Sequence, residues 1–291
     1  MNDDGPPSNV SPYIHPFVKA LERNGHVVSV VIPASSRSWI AKAHIRETIL
    51  KANYIFPQQA NNNALPQQNH FHGQTKDKKD EKGKNWPWVV ITNGTPASCV
   101  QLALYGNIFP HHYHDLDDER PPIDLVISGP NHGRNASSIY NLSSGTVGGA
   151  LEAATCKKRA IALSFASKDE QPPTVIDAAS RLAVRVVERL CSHWDDGVEV
   201  YNVNVPMRAD VEGRPVRYTT AFKNYWSEAC LYAEVEGADH HINGTGDGCE
   251  NGNGYHERYF SFSPDLSAMK KDLWASPEGT DAHTVLNGYT R

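Results

Sequence analysis

A mainly parallel sheet covered by helices on both faces is the fold class that this 291-residue sequence predicts, on three observations. Short runs rich in β-branched residues, such as 26–32 (HVVSVVI) and 88–92 (WVVIT), recur along the chain. They are apolar at nearly every position, as strands buried on both faces are. Segments of helical length separate them, and that alternation builds βαβ units.

The elements come in order. Residues 11–23 carry Ile14, Phe17, Val18 and Leu21 at helical spacing, with Gly25 placed to close the helix in a left-handed cap. Strands are expected at 26–32 and 88–92. Thr95 and Pro96 then supply an N-cap and a proline at the first helical position, opening a helix to about Tyr105. A strand at 123–128 (IDLVIS), a Gly/Ala-rich closely packed helix at 144–157 and a strand at 159–165 come next. The long amphipathic helix at 174–193 repeats Ile176, Ala179, Leu182, Ala183, Val186, Val187 and Leu190 on one face, and a further strand is expected at 198–205.

Three stretches break the alternation. Residues 58–84 (QQANNNALPQQNH, then KDKKDEKGK) are too polar to offset their own ordering and read as a disordered surface insertion. Residues 111–122 (HHYHDLDDERPP) offer histidines and acids to a metal, but without a helical or strand frame they read as a solvent-exposed loop. Beyond Pro206, residues 216–219 and 259–263 are expected as strands of an antiparallel excursion, linked by the Gly/Asn/Asp-rich 237–254, with a short helix after Pro277. The expectation is one domain, 1–291, with an insertion at 58–84 and a C-terminal extension at 207–291.

Composition removes several function classes. Lys+Arg 28 against Asp+Glu 33 gives a net charge of −5, with no global attraction for a nucleic acid polymer or an anionic membrane. No apolar run reaches the length of about 18 residues that a membrane-spanning helix needs. The start, Met1-Asn2-Asp3-Asp4-Gly5, lacks the basic and apolar regions of a secretory signal. Five widely spaced cysteines without C-x-x-C argue against a disulfide scaffold or a structural zinc, and favour a reducing compartment, the cytoplasm.

In an open parallel sheet, ligands bind outside the carboxyl ends of the strands. The residues just after each strand are therefore informative. Pro33-Ala34-Ser35-Ser36-Arg37-Ser38 lies after the first, Asn93-Gly94-Thr95 after the second, and Gly129-Pro130-Asn131-His132-Gly133-Arg134-Asn135 after the third, running on to Ser144-Gly145-Thr146 at a helix start. Small oxygen-bearing residues, glycines and a helix N-terminus together describe a phosphate-sized site. Singly, each reads as an ordinary cap or turn. Asp3-Asp4 could add a hard-cation site for Mg²⁺ or Mn²⁺, which take oxygen ligands; the alternative is a frayed, solvated acidic terminus. No G-x-G-x-x-G comes after a strand and no G-x-S-x-G elbow is present, which disfavours a dinucleotide oxidoreductase and a serine hydrolase.

Asn2-Asp3-Asp4-Gly5, the Ser38 segment, Gly94-Thr95-Pro96, Ser128-Gly129-Pro130-Asn131, Ser144-Gly145-Thr146, Asn202-Val203-Asn204-Val205-Pro206 and Glu278-Gly279-Thr280-Asp281 with Gly288-Tyr289 occur in this order. The set resembles the SurE (survival protein E) family of metal-dependent nucleotidases and acid phosphatases. Arg37-Ser38-Trp39-Ile40, with Trp39 where bacterial members tend to have Gly, resembles the fungal branch, including domains fused to tubulin-tyrosine-ligase-like modules. The resemblance implies a Rossmann-like fold, one Mg²⁺ or Mn²⁺ per subunit, and hydrolysis of phosphomonoesters such as nucleoside monophosphates.

Carried over, the metal ligands are Asp3, Asp4, the Ser38 hydroxyl and the Asn131 carbonyl; Asn135, Ser144, Gly145 and Thr146 line the phosphate pocket. Asp3 or Asp4 would also be the catalytic group, orienting or deprotonating water or attacking phosphorus. Lys42, His44 and His132 are further candidates for substrate contact. A homodimer or homotetramer built through the C-terminal extension is implied as well. The resemblance puts an apolar first strand before Asn2, where Met1 alone stands, and a further strand after Tyr289. From this comes the expectation of a poorly ordered aspartate pair, and the alternative of a binding or regulatory module with impaired catalysis.

Overall fold

The computed structural model describes residues 1–57, 87–109, 122–226, 231–235 and 258–291. The expected insertion at 58–84, the histidine-rich loop apart from Pro122, and the linker 237–254 lie outside the described residues.

Two three-stranded sheets form the centre. In the first, β1 (Val31–Pro33) pairs in parallel with β3 (Trp88–Thr92), and β2 (Lys51–Ile55) pairs antiparallel on the other side of β3. The second is fully parallel, in the order β4 (Leu125–His132), β5 (Arg159–Phe165) and β6 (Val200–Val205). The sequence reading of an α/β chain with a mainly parallel sheet holds. β2 is an addition to it: its residues are exposed or half-buried, so an antiparallel edge strand left no continuous apolar signature.

β5 shows how the layers are made. Ile161, Leu163 and Phe165 face α1 (Ile14–Arg23) and α5 (Pro173–Ser192), where Phe17, Leu21, Leu182, Val186 and Val187 complete one core. Ala160 and Ala162 point the opposite way, toward Val100 of α2 (Pro96–Tyr105) and Val147, Ala150 and Ala153 of α4 (Gly145–Thr155). This period of two puts large side chains under one helix layer and small ones under the other. Each fully buried Leu, Ile or Phe contributes about 1.5–3 kcal/mol. The small-residue face lets α4 approach β4 closely. A Cβ on Gly149 would lie 1.9 Å from the Met1 Cε and 2.9 Å from the Ser128 Oγ.

Several expected boundaries move. The first strand begins at Val31 rather than 26, because β3 offers ladder partners only from Trp88 onward and Val27 is 61% exposed. β4 runs on past Ser128: after a register shift Asn131 pairs with Ser164 and His132 with Phe165. Residues 216–219 form no strand; Val216 makes only an isolated bridge to Thr290. The antiparallel excursion is instead β7 (Tyr232–Val235) with β8 (Tyr259–Phe262). The helix after Pro277 is α7 (Asp281–Leu286). Two short helices, α3 (Ser138–Ser143) and α6 (Ser267–Trp274), carry too few buried apolar positions to be read from periodicity. Among the described residues no helix is long and apolar enough to cross a membrane.

Candidate active site

The amino end is tied into the second sheet. The Met1 amine donates to the Ile127 carbonyl at 2.9 Å, and the Met1 carbonyl accepts from the Gly129 N–H at 2.6 Å. The Met1 side chain packs against the core around Val31, Val89 and Ile91 and also against the one around Val100 and Val147. Asn2 then folds the turn: its Oδ1 accepts from the Gly5 N–H and its Nδ2 donates to the Ser11 Oγ, which donates to the Gly5 carbonyl at 2.9 Å. Gly5 has φ 90°, a left-handed conformation that side chains rarely adopt. Asp3 and Asp4 are consequently only 2% and 7% exposed. A frayed, solvated or poorly ordered acidic terminus is thereby ruled out, because ladder bonds and a side-chain-braced turn hold this backbone.

Each aspartate meets a different strand or helix end. The Thr146 hydroxyl donates to Asp3 Oδ1. The Asp3 carbonyl accepts from the Arg37 N–H at 2.7 Å. A Cβ on Gly145 would stand 2.9 Å from both Asp3 Oδ2 and the Arg37 carbonyl, so glycine is what lets α4, Asp3 and the 33–38 loop meet. Asp4 Oδ2 accepts from the His132 N–H at 2.8 Å.

Burial disfavours ionisation of both carboxyls. It raises Asp3, with hydrogen bonds from Thr146 opposing. Burial, with the neighbouring Asp3 charge second, pushes Asp4 up to about 7. The Lys168 ammonium works the other way on both.

The remaining predicted residues divide by what holds them. Asn131 donates its Nδ2 to the Gly133 carbonyl at 2.6 Å, which leaves its side-chain oxygen as an acceptor one residue from the N–H that meets Asp4. Ser38 is exposed, shares a 3.2 Å hydrogen bond with Ser36, and comes directly after the Arg37 backbone that abuts Asp3 and Gly145. Ser144 caps α4, accepting from the Val147 N–H at 3.1 Å. Asn135 is buried, donating its Nδ2 to the Ser164 Oγ at 3.0 Å and its backbone N–H to Asn204 Oδ1 at 2.8 Å.

Lys42 and His44 turn away, toward the buried Glu152, at 2.7 and 3.4 Å. The His132 ring packs edge-on against Tyr13, with its Nδ1 3.3 Å from the Val10 carbonyl.

The sequence reading missed the support beneath this loop. Asp281 accepts from the Ser137 and Phe222 N–H groups, both at 2.8 Å, and lies 3.5 Å from the Arg291 guanidinium, which donates to the Asn135 carbonyl at 2.9 Å. Asp281 stands in the Glu278-Gly279-Thr280-Asp281 motif, yet nothing in the sequence says that it holds residues 144 positions away. Lys168, whose Cε and Cγ would meet a Cβ on Gly133, was also missed.

Among the described residues, neither Asp3 nor Asp4 has a basic side chain within ion-pair distance. Buried charges are paired or coordinate metals. Two adjacent carboxylates, with Ser38 and Asn131 each one residue from a backbone N–H that bonds to one of these aspartates, offer hard oxygen donors of the kind that suits Mg²⁺ or Mn²⁺. No cluster of three or more His, Cys, Asp or Glu occurs among the described residues. The residues present fit a hard divalent cation.

Comparison with known proteins shows what the chain is similar to. The family model described as Survival protein SurE matches residues 1–228. The chain is 31% identical over 306 aligned positions to a protein of Saccharomyces cerevisiae named Probable tubulin–tyrosine ligase PBY1, covering 98% of this chain and 38% of that one. It is 36% identical over 135 positions to the 5′-nucleotidase SurE of Rhodopirellula baltica, covering 46% of this chain and 47% of that relative. The chain thus spans well under two thirds of either relative. In fold it resembles the crystal structure of the SurE protein from Aquifex aeolicus, with a TM-score of 0.57 and 24% identity over 99% of this chain and 88% of that one.

Proposed function

The chain belongs to the survival protein SurE family, and from that premise we propose that it is a divalent-metal-dependent phosphomonoesterase acting on nucleoside monophosphates. One observation carries the reading: two adjacent buried carboxylates, without a basic partner among the described residues, sit against the N-terminus of α4 and the end of β4. Burial alone favours the neutral carboxyls, so holding both ionised calls for a cation between them. Relatives named 5′-nucleotidase support the substrate class.

In this reading Asp3, Asp4, the Ser38 hydroxyl and the Asn131 oxygen hold the cation. When bound, Mg²⁺ or Mn²⁺ supplies Lewis acidity, lowering the pKa of water and offsetting phosphoryl charge. Thr146 fixes the Asp3 carboxylate by its hydroxyl hydrogen bond. Asp4, with one oxygen engaged by His132, orients the attacking water through the other. The Gly145 N–H and the Ser144 hydroxyl, at the positive end of α4, bind phosphate oxygens. Asn135 completes the pocket, and Lys168 steers the anionic substrate toward it.

The same reading makes residues 1–291 one domain, assembled as a homodimer or homotetramer through 207–291. The exposed Phe260 on the antiparallel β7–β8 pair supports that assembly. Cys99, Cys156 and Cys191 are unpaired, in keeping with a cytoplasmic enzyme.

The test is phosphate release from a panel of nucleoside 5′- and 3′-monophosphates and p-nitrophenyl phosphate, with Mn²⁺, Mg²⁺ or EDTA. Release that requires the cation and favours nucleotides supports the proposal. Equal background release under all conditions overturns it, and leaves a module that binds without turnover.

A further inference from the structure

Trp39 gathers aromatic rings from three distant segments. Its ring centroid lies 6.1 Å from that of Tyr140 on α3, 5.9 Å from Trp226 and 5.7 Å from Phe262 on β8. The cluster is not core: Trp226 is 39% and Phe262 47% exposed. Exposed apolar patches of this kind mark contact surfaces.

The wall stands directly beside the proposed active site. Trp39 is next to Ser38 in a loop pinned at both ends, by the Arg37 N–H to the Asp3 carbonyl at 2.7 Å and by the Ala41 N–H to the Ser143 carbonyl at 3.0 Å. Trp39 and Ala41 hold φ of 65° and 55°, left-handed values that L residues rarely take, so the loop presents the indole against its own backbone preference. Arg134 links the two regions. It is next to Gly133 in the phosphate loop, its Nε is buried without a hydrogen-bond partner among the described residues, and its charge offsets part of the effect of burial on the Tyr140 hydroxyl.

We infer that the aromatic wall of Trp39, Tyr140, Trp226 and Phe262 is the stacking platform for the base of a nucleotide whose phosphate sits at Ser144–Thr146; this rests on the phosphomonoesterase reading. A ligand that joins an anion to a flat π-system covers both the guanidinium and the rings, whereas a sugar phosphate or a phosphopeptide leaves the rings bare. Base–aromatic stacking tolerates every base, since each has a π-face, so the platform selects nucleotides as a class over other phosphomonoesters.

The test uses adenosine, which has no phosphate, titrated in EDTA while tryptophan emission is read. Saturable quenching by adenosine but not by ribose is expected, with affinity lowered about tenfold in Trp226→Ala and Phe262→Ala and retained in Trp39→Phe, as the loss of one stacking contact implies. In turnover, the ratio of kcat/KM for AMP to that for glycerol phosphate is expected to fall about tenfold in the two alanine variants, the discrimination that a single stacked ring supplies. Quenching no different from ribose, or an unchanged ratio, overturns the inference. So does emission that ignores adenosine but shifts with protein concentration, because a second copy then covers the wall. Adenosine binding without turnover of any phosphomonoester upholds the platform and sinks only the hydrolytic reading.

Discussion

Thr146 and Asp3, 143 residues apart in the chain, are joined by a hydrogen bond from the threonine hydroxyl to the aspartate Oδ1. Both are buried, Thr146 completely. The hydroxyl therefore positions a carboxylate, and what Thr146 can offer a phosphate is backbone. Removing it leaves a buried acceptor short of a partner, which costs about 1–3 kcal/mol. Thr146→Val is expected to lower stability by that amount and to weaken Mn²⁺ binding about tenfold, while Thr146→Ser keeps both. Thermal melts and calorimetric titration of the two variants check it.

Gly148→Ala probes the contact between α4 and the loop that carries Ser38. The added Cβ would stand 2.3 Å from the Ala41 carbonyl oxygen and 2.7 Å from the Lys42 nitrogen, both backbone atoms with no cheap way to yield. Overpacking of this kind costs about 1–3 kcal/mol. Ala is otherwise the better helix former by about 1 kcal/mol, so a variant as stable as the parent and equally active would show that the loop does not pack there.

Asp281 braces the 135–137 segment, where the proposal puts the substrate phosphate. It accepts the N–H of Ser137, which holds a left-handed φ of 87°, and it faces the buried Arg291. Asp281→Ala strands a buried guanidinium, at a cost of about 3–5 kcal/mol. Asp281→Asn keeps one acceptor and is expected to fold, with KM for substrate raised more than kcat is lowered. A loss confined to kcat would place Asp281 elsewhere in the mechanism.

Glu152 gives a pH dependence remote from the aspartates. Burial alone would raise its pKa, but hydrogen bonds from Gln101 and Lys42 and the charges of Lys42 and His44 outweigh this and hold it below the ordinary glutamate range. A depressed carboxylate contributes stability above its unfolded value of 4.5 that is lost as pH falls through the folded value. With Lys42 about a third exposed, solvent screening keeps the contribution to about 0.2–1 kcal/mol. Glu152→Gln should flatten the fall in melting temperature below pH 4.5 without changing the profile near neutrality. Parallel acid profiles for the two proteins would contradict this.

Much of the architecture was legible, and the omissions have physical causes. β3 and β5 are mostly apolar and buried along nearly their whole length, and α2 opens on Thr95-Pro96, so their limits could be read directly. β2 could not, since an edge strand that is only half buried need not be apolar throughout. The ordering of Asp3 and Asp4 was misjudged because a turn near a chain end gives no local sign of the Met1 ladder to β4.

The inward turn of Lys42 and His44 depends on how closely their loop approaches α4. Gly145 and Gly148 permit that approach, and in sequence they look like unfavourable helix residues. Spacing can name the oxygen donors; only tertiary packing decides which of them face a ligand and which brace another donor.

Calorimetric titration of Mn²⁺ into the metal-free protein tests the central claim most directly, with Asp4→Asn as the comparison. One binding event per chain, weakened at least about a hundredfold in the variant, is what two carboxylates sharing a hard cation require. Equal binding by both proteins, or no binding by either, would mean that the aspartate pair does not grip an ion.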